Sequence, residues 1–203
     1  LVSISIPTNV TSIGNDAFYN CSLLTSINIS GYGEMKYVYS SNIPPWEAIK
    51  SQIKTVVIND GVTTIGKSAF SKCENLTSVY IPNSVTLIGI YAFYGCISLP
   101  SIHISNCVNE IQDYAFAECI SLTSINIPNN LTSINSHAFF NCIDLMSINI
   151  PNSIESIGDY AFSNCKSLLS ISIPNKVTSI GDYAFNNCSS LEFIKISKYL
   201  ITY

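Results

Sequence analysis

Apolar and polar residues alternate with period two only in short bursts, and turn-forming residues follow each burst. In LTSINIPNNLTSINSHAFFNC, Leu122 to Cys142, the apolar positions are Leu122, Ile125, Ile127, Leu131, Ile134, Ala138, Phe139 and Cys142. Ile125 and Ile127, with polar residues around them, predict a short strand with one buried face. Pro128 ends that strand because proline has no N–H to give to a sheet ladder, and Pro7, Pro82, Pro151 and Pro174 mark the same point elsewhere. Gly14, Gly66, Gly89, Gly158 and Gly181 predict a second turn, one requiring positive φ. Asn135 tolerates that conformation in the same column, whereas Gln112 fits it worst.

The bursts recur at a fixed distance. The dipeptide Ala-Phe begins at Ala69, Ala92, Ala115, Ala138, Ala161 and Ala184, each 23 residues after the last. An earlier copy begins at Ala17, 52 residues before Ala69, which is two periods plus six. An irregular coil over residues 24–52 therefore precedes regular coils over 53–203. No single unit can bury its own apolar stripe, but stacked units bury a continuous one. Leu122, Ile125 and Ile127 have the L-x-x-L-x-L spacing of a leucine-rich repeat. The predicted architecture is thus an α/β, right-handed leucine-rich-repeat solenoid. A parallel sheet forms one face, and Ala-Phe and Cys sit in short helical or 3₁₀ turns on the other. Strand centres fall near Ile4, Ile27, Val56, Val79, Ile102, Ile125, Ile148, Ile171 and Ile194. Nine such coils at about 4.8 Å per strand make a rod of roughly 40 Å. The chain, 1–203, reads as a single domain. With Leu1 on a repeat position and Tyr203 in mid-unit, it also reads as a stretch of a longer chain.

The segments IPNSVTLIGIYAFYGC, Ile81 to Cys96, and IPNSIESIGDYAFSNC, Ile150 to Cys165, carry a resemblance that covers essentially the whole sequence. The chain resembles the BspA-like leucine-rich-repeat family, a 23-residue repeat class of bacterial and protist surface proteins. Even WEAIKSQIKTVVINDGVTTIG, Trp46 to Gly66, is similar to the degenerate opening coil of such proteins. The resemblance implies a cell-surface or secreted protein, with some members acting as adhesins for host proteins or other microbes. It brings no catalytic residues.

Composition narrows the chemistry. Apolar residues make up 47% of the chain and charged ones 11%, so the surface must be largely Ser, Thr and Asn. A net charge of -4 without any Lys/Arg run gives no footprint for nucleic acid. Polar residues interrupt every apolar stretch, so membrane insertion is not expected. Seven of the eight cysteines (Cys21, Cys73, Cys96, Cys119, Cys142, Cys165 and Cys188) occupy one column, four residues after the Ala of Ala-Phe. They predict a buried spine of free, inert thiols, without the close C-x-x-C pairs of a zinc site. Cys107 stands at a turn filled elsewhere by Ser84, Asn130 and Ser153, and reads as a replacement for serine. His103 and His137 occupy different registers of the unit, and neither has the orienting carboxylate a triad requires. Asp113, Asp159 and Asp182 precede the repeated Tyr, but Ser136 and Ile90 break their column, so they read as solvated turn carboxylates. No cofactor or metal is expected. Sequons occur at Asn9, Asn20, Asn28, Asn75, Asn130 and Asn187, at the frequency that chance allows in so Asn- and Ser-rich a chain.

Recognition in a solenoid lives on its exposed sheet face. The residues flanking each strand centre there are Thr55, Val57, Ser78, Tyr80, Ser101, His103, Ser124, Asn126, Ser147 and Asn149, followed by Ser170 and Ser172. Tyr80 and His103 are the larger anchors in a neutral strip suited to hydrogen bonding with protein backbone or glycan. The strip reads equally as the small polar side chains that a tightly stacked face requires. The irregular coil concentrates Tyr37, Tyr39 and Trp46. These aromatics either patch a packing defect or form a protruding recognition patch. The expected function is a non-enzymatic, adhesin-like module binding a protein or glycan. The alternative is a structural spacer that displays another domain. Open ends of the stack add an expectation of end-to-end self-association.

Overall fold

The computed structural model describes residues 2–10, 13, 17–31, 33–34 and 44–196. Its backbone forms a parallel β-solenoid of the leucine-rich-repeat type. The principal face is built from β1 (Ser3–Ile6), β2 (Ser26–Ile29), β4 (Thr55–Ile58), β6 (Ser78–Tyr80), β8 (Ser101–Ile102), β10 (Ser124–Asn126), β12 (Ser147–Asn149), β14 (Ser170–Ile173) and β16 (Phe193–Ile196). All hydrogen-bonded neighbours on this face are parallel and in one register. Ile4 pairs with Ile27, Ile27 with Val56 and Val56 with Val79. Ile125 lies between Ile102 and Ile148, and Ile171 faces Ile194. These are the nine strand centres that the alternation predicts, and they bound about eight turns of solenoid.

A second parallel sheet lies where the sequence suggested only a turn. It consists of β3 (Gly33–Glu34), β5 (Val62–Ile65), β7 (Leu87–Ile88), β9 (Glu110–Ile111), β11 (Ser133–Ile134), β13 (Ser156–Ile157) and β15 (Ser179–Ile180). Two-residue strands such as Ser133–Ile134 are too short for an alternation signal; only stacking against an identical neighbour makes them strands. Their buried Ile65, Ile88, Ile111, Ile134 and Ile157 join the same core as the principal sheet's Val56, Ile102, Ile125, Ile148 and Ile171.

The remaining side of each coil is not helical, contrary to the α/β expectation. Among the described residues the only helical turn is a 3₁₀ segment, Glu47–Gln52, inside the irregular coil. Backbone accounting gives the reason. Alternate N–H groups stay within the coil as tight turns: Ala92 donates to Gly89 O at 3.1 Å, Tyr94 to Tyr91 O at 3.2 Å and Cys96 to Phe93 O at 3.2 Å. The N–H groups between them point along the solenoid axis. Phe70 donates to Ala92 O, Phe93 to Ala115 O and Phe162 to Ala184 O, each at 2.8 Å. A helix would direct every N–H back into its own coil, leaving none to join the coils. Left-handed residues at Tyr91 (φ 58) and Gly95 (φ 68), repeated at Tyr114 and Glu118, His137 and Asn141, and onward, turn the chain so that every second N–H faces the next coil.

The recurrent glycine is explained by proximity rather than by dihedral. Gly89, Gly158 and Gly181 do not have positive φ; among the described residues the glycines that do are Gly61 and Gly95. A Cβ on Gly158 would lie 2.6 Å from Ser136 N and 2.9 Å from Asn135 C, and one on Gly89 would lie 2.9 Å from Gly66 C. At these glycines the backbones of successive coils cross too closely for a Cβ without a local shift, whereas Gln112 in the same column carries a side chain and still donates its N–H to Ile88 O at 2.9 Å. At regular coils the glycine N–H joins the ladder, as when Gly158 donates to Ile134 O at 2.7 Å. Asn135 carries a Cβ, and its side-chain Nδ2 donates to Ile111 O at 2.8 Å instead. The second sheet is interrupted there: β9 ends one ladder and β11 begins the next.

Phenylalanine fills the interior. Phe70, Phe93, Phe116, Phe139, Phe162 and Phe185 stack in one file with centroids 5.4–5.8 Å apart and planes within 19° of parallel. Trp46 heads the file, 5.4 Å from Phe70, and its Nε1 donates to Ala69 O at 2.7 Å. Each fully buried ring contributes about 1.5–3 kcal/mol of transfer free energy.

Candidate functional site

On the principal face the polar residues flanking the buried centres form two parallel files. Ser78, Ser101, Ser124 and Ser147 make the first; Tyr80, His103, Asn126 and Asn149 make the second, and all of these are exposed. Thr55 and Val57, nearer the irregular coil, are half-buried. Tyr80 is 59% exposed and is the largest anchor on the strip. His103 lies one residue beyond β8. Asn126 is engaged structurally: its Oδ1 accepts from Ile104 N at 3.0 Å and its Nδ2 donates to Ile104 O at 2.6 Å. Its amide therefore replaces a missing ladder pair beyond the end of β8. Exposed apolar side chains border the strip at Met146 (51%), Leu169 (54%) and Phe193 (69%). Met146 and Leu169 share a column occupied elsewhere by Thr77 and Thr123, and Phe193 stands in the column of Ser170, so composition alone did not single them out.

The aromatic patch expected on the irregular coil is not a surface feature at Trp46, which is 1% exposed and belongs to the core file. Its indole N–H is bonded within the protein, so the residue serves the packing role. Tyr37 and Tyr39 lie outside the described residues.

A second aromatic array was not recognised from the sequence. Tyr91, Tyr114, His137, Tyr160 and Tyr183 stack ring on ring along the outside of the turn-bearing side, with centroid distances of 4.8, 4.3, 4.8 and 4.9 Å. Four of these residues are partly exposed, and Tyr183 is 61% exposed. Left-handed φ values of 53–58° at these positions place the rings in file. Non-glycine residues pay a steric penalty in that region, about 1–2 kcal/mol each. Ring stacking and the axial hydrogen bonds, such as Tyr160 N to Asp182 O at 2.9 Å, offset it. The Tyr repeated directly before Ala-Phe, at Tyr91, Tyr114, Tyr160 and Tyr183, was the available signal, although its stacking needs the solenoid.

His137 occupies the centre of this array and its Nδ1 is buried without a hydrogen-bond partner. Burial lowers its pKa below the ordinary histidine value, against the opposing pull of Asp113 and Asp159. His103, by contrast, follows a strand of the principal face, so the two histidines do not meet. Asp159 Oδ1 accepts from Asp182 N at 2.8 Å, which identifies it as a turn carboxylate. Among the described residues no group of three or more His, Cys, Asp or Glu side chains converges as a metal site.

The column of seven cysteines lines the core, half-buried at its ends at Cys21 and Cys188, and all eight cysteines of the chain are free. Each thiol from Cys96 onward donates to the carbonyl of a Phe in the preceding coil: Cys96 to Phe70 O, Cys119 to Phe93 O and Cys142 to Phe116 O, each at 3.2 Å. Burial pushes the thiols of Cys73 and Cys119 up to about 12, against smaller lowering contributions from Lys50 and from the Cys96 backbone, respectively. Nucleophilic chemistry needs thiolate, so these side chains serve packing. Cys107 is the exposed exception. No helix among the described residues is long and apolar enough to cross a membrane.

Comparison with known proteins agrees with this architecture. A family model described as the BspA type leucine rich repeat region matches in six copies over residues 1–43, 48–168 and 109–203. No curated protein matches the chain. Among solved structures, a leucine-rich repeat protein from Bacteroides ovatus is 25% identical, with a TM-score of 0.61 over 97% of this chain and 69% of its own. The Treponema pallidum leucine rich repeat protein is 22% identical, with a TM-score of 0.66 over 94% of this chain and 78% of its own. A leucine rich cell surface protein from Faecalibacterium prausnitzii is 26% identical, with a TM-score of 0.49 over 97% of this chain and 79% of its own. The matching family is a repeat family rather than a catalytic one.

Proposed function

Starting from the fact that this chain belongs to the BspA-type leucine-rich-repeat family, we propose that it is a non-enzymatic recognition module of a cell-surface or secreted protein, holding a protein or glycan partner in an adhesin-like role. The observation that carries the reading is the exposed strip on the principal face, where Ser78, Tyr80, Ser101, His103, Ser124, Ser147 and Asn149 point to solvent in two regular files. Hydroxyls and amides at this density suit hydrogen bonding to glycan or peptide backbone with little salt dependence. Tyr80 supplies the large amphipathic contact that binding hot spots favour. Surface or secreted placement is carried over from the family resemblance.

The test is biolayer interferometry of the purified chain against immobilised matrix proteins and bacterial surface glycans, with a Tyr80→Ser, His103→Ser double variant alongside. Saturable binding that the variant loses supports recognition through the principal face. Failure of a folded parent protein to bind any member of the panel favours the spacer, in which the regular polar files serve stacking alone, as the Asn126 amide does.

A further inference from the structure

The turn-bearing side offers a different surface from the principal face, with a different chemistry. The stacked rings from Tyr91 to Tyr183 cover one another's faces, so they present edges and, in the tyrosines, phenol oxygens to solvent. Beside them runs the column that precedes each ring, occupied by Asp113, Asp159 and Asp182 and interrupted by Ile90 and Ser136. Asp159 and Asp182 are exposed and Asp113 is half-buried. Glu110 and Glu118 lie in the same coil as Asp113, and burial first and Glu118 second raise the pKa of the Tyr94 phenol. In the coils spanning residues 110–187 the lysines are Lys166 and Lys176. They belong to other turns, one following Cys165 and the other two residues after Pro174. The basic residues that do occupy these columns, Lys67 and Lys72, stand at the N-terminal end of the array. The ribbon therefore runs from a basic start to an acidic, acceptor-rich stretch.

We propose that this ring ladder, edged by Asp113, Asp159 and Asp182, is an interaction surface for a lysine- or arginine-rich segment of a partner protein. The inference deepens the recognition reading and rests on it, but it uses a separate face. Charge complementarity carries it: ammonium and guanidinium groups only donate hydrogen bonds, and the ladder offers phenol oxygens and carboxylates to receive them. Stacking holds the rings in place before any partner arrives, which limits the ordering cost of binding. The acidic residues lie in the later coils, so the partner is placed there.

Fluorescence anisotropy with a fluorescein-labelled Arg-Ser-Arg-Ser-Arg-Ser-Arg peptide tests this, using a Glu-Ser peptide of equal length as counterpart. The expected result is saturable binding of the basic peptide alone, weakening as salt is raised. An Asp113→Asn, Asp159→Asn, Asp182→Asn variant should weaken it about tenfold, three exposed ion pairs acting together. A Tyr114→Asn, Tyr160→Asn variant, whose new side chain tolerates the left-handed backbone, should weaken it too. Neutralising Glu74, Glu155 and Glu192, which lie off the ladder, makes the same change in net charge and should leave binding within about twofold. Equal losses from both triple variants, indifference to the tyrosine changes, or no basic-peptide binding by the folded parent would overturn the proposal. If in that case the surface panel still binds through Tyr80 and His103, the recognition module stands and only the ladder assignment falls.

Discussion

Replacing Gly158 with alanine separates two explanations of the repeated glycine. If the position needed a left-handed backbone, asparagine would serve better than alanine there. Since Gly158 does not have positive φ, alanine suits its dihedrals, and unfolded-state entropy alone would favour the substitution by about 0.4–1 kcal/mol. Contact predicts the opposite sign. The added Cβ meets Ser136 N at 2.6 Å and both Asn135 C and Ser136 Cα at 2.9 Å, all backbone atoms of the neighbouring coil. None of them can swing away as a side-chain tip would. Forcing a methyl into a packed joint costs about 1–3 kcal/mol, which outweighs the entropic gain at all but its lowest values. For a chain of this length each kcal/mol lowers Tm by about 2–4 °C. The expected result for Gly158→Ala is a Tm lowered by roughly 1–10 °C and a reduced urea midpoint, followed by circular dichroism. Gly158→Asn should be no better. Two coils already carry a Cβ at this register: at Asn135 the ladder between β9 and β11 is open, and at Gln112 it is kept, with Gln112 N donating to Ile88 O at 2.9 Å. Hydrogen exchange in Gly158→Ala should quicken at the Gly158 amide, which donates to Ile134 O, before it quickens elsewhere. A Gly158→Ala protein as stable as the parent, or more so, would refute the close-approach explanation. As an internal control, Gly95→Asn should change stability little, because Gly95 has φ 68 and a new Cβ would meet the flexible Lys72 side chain at 3.4 Å.

Three further outcomes follow from the packing. Phe116→Ala, which removes a fully buried ring stacked on both sides, should cost about 3–5 kcal/mol in denaturant unfolding, and Phe185→Ala, with a half-buried ring at the end of the file, clearly less. Titration of the native protein with a thiol reagent such as Ellman's should label Cys107 first, while Cys73, Cys96, Cys119, Cys142 and Cys165 react only in denaturant; rapid labelling of the whole column under native conditions would contradict its burial. Lowered histidine pKa in the fold means that the unfolded chain binds the His137 proton more readily. That contribution to stability is present above the ordinary histidine range near 6.5 and is lost as pH falls through it towards the lowered folded value. Accordingly, His137→Tyr should lose less Tm than the parent between pH 7 and pH 5, and identical profiles for the two would count against it.

The sequence by itself determined the period, and with it the solenoid. Ile125 and Ile127 at the same place in every unit specify which side of a short strand is buried, and the fixed recurrence of Ala-Phe specifies that identical positions lie one above another. The thiol spine follows from the same logic, since a small apolar residue in one column must stack on its copies. Tertiary structure decided what depends on the distance and orientation between coils. Pairs such as Ser133–Ile134 become strands only when Ser156–Ile157 lies alongside. The far side avoids helix because the N–H groups of Phe93 and Tyr91 are needed by the next coil, a demand that local propensity does not register. Gly158 reads in sequence as a turn residue, yet what excludes a side chain there is the backbone of Ser136, 22 residues earlier in the chain. Trp46 reads in sequence as either a packing or a protruding aromatic, and Phe70 and the Ala69 carbonyl decide for packing. The ring ladder arises for the same physical reason: one left-handed turn per coil, repeated at the coil spacing, brings side chains 23 residues apart into stacking distance.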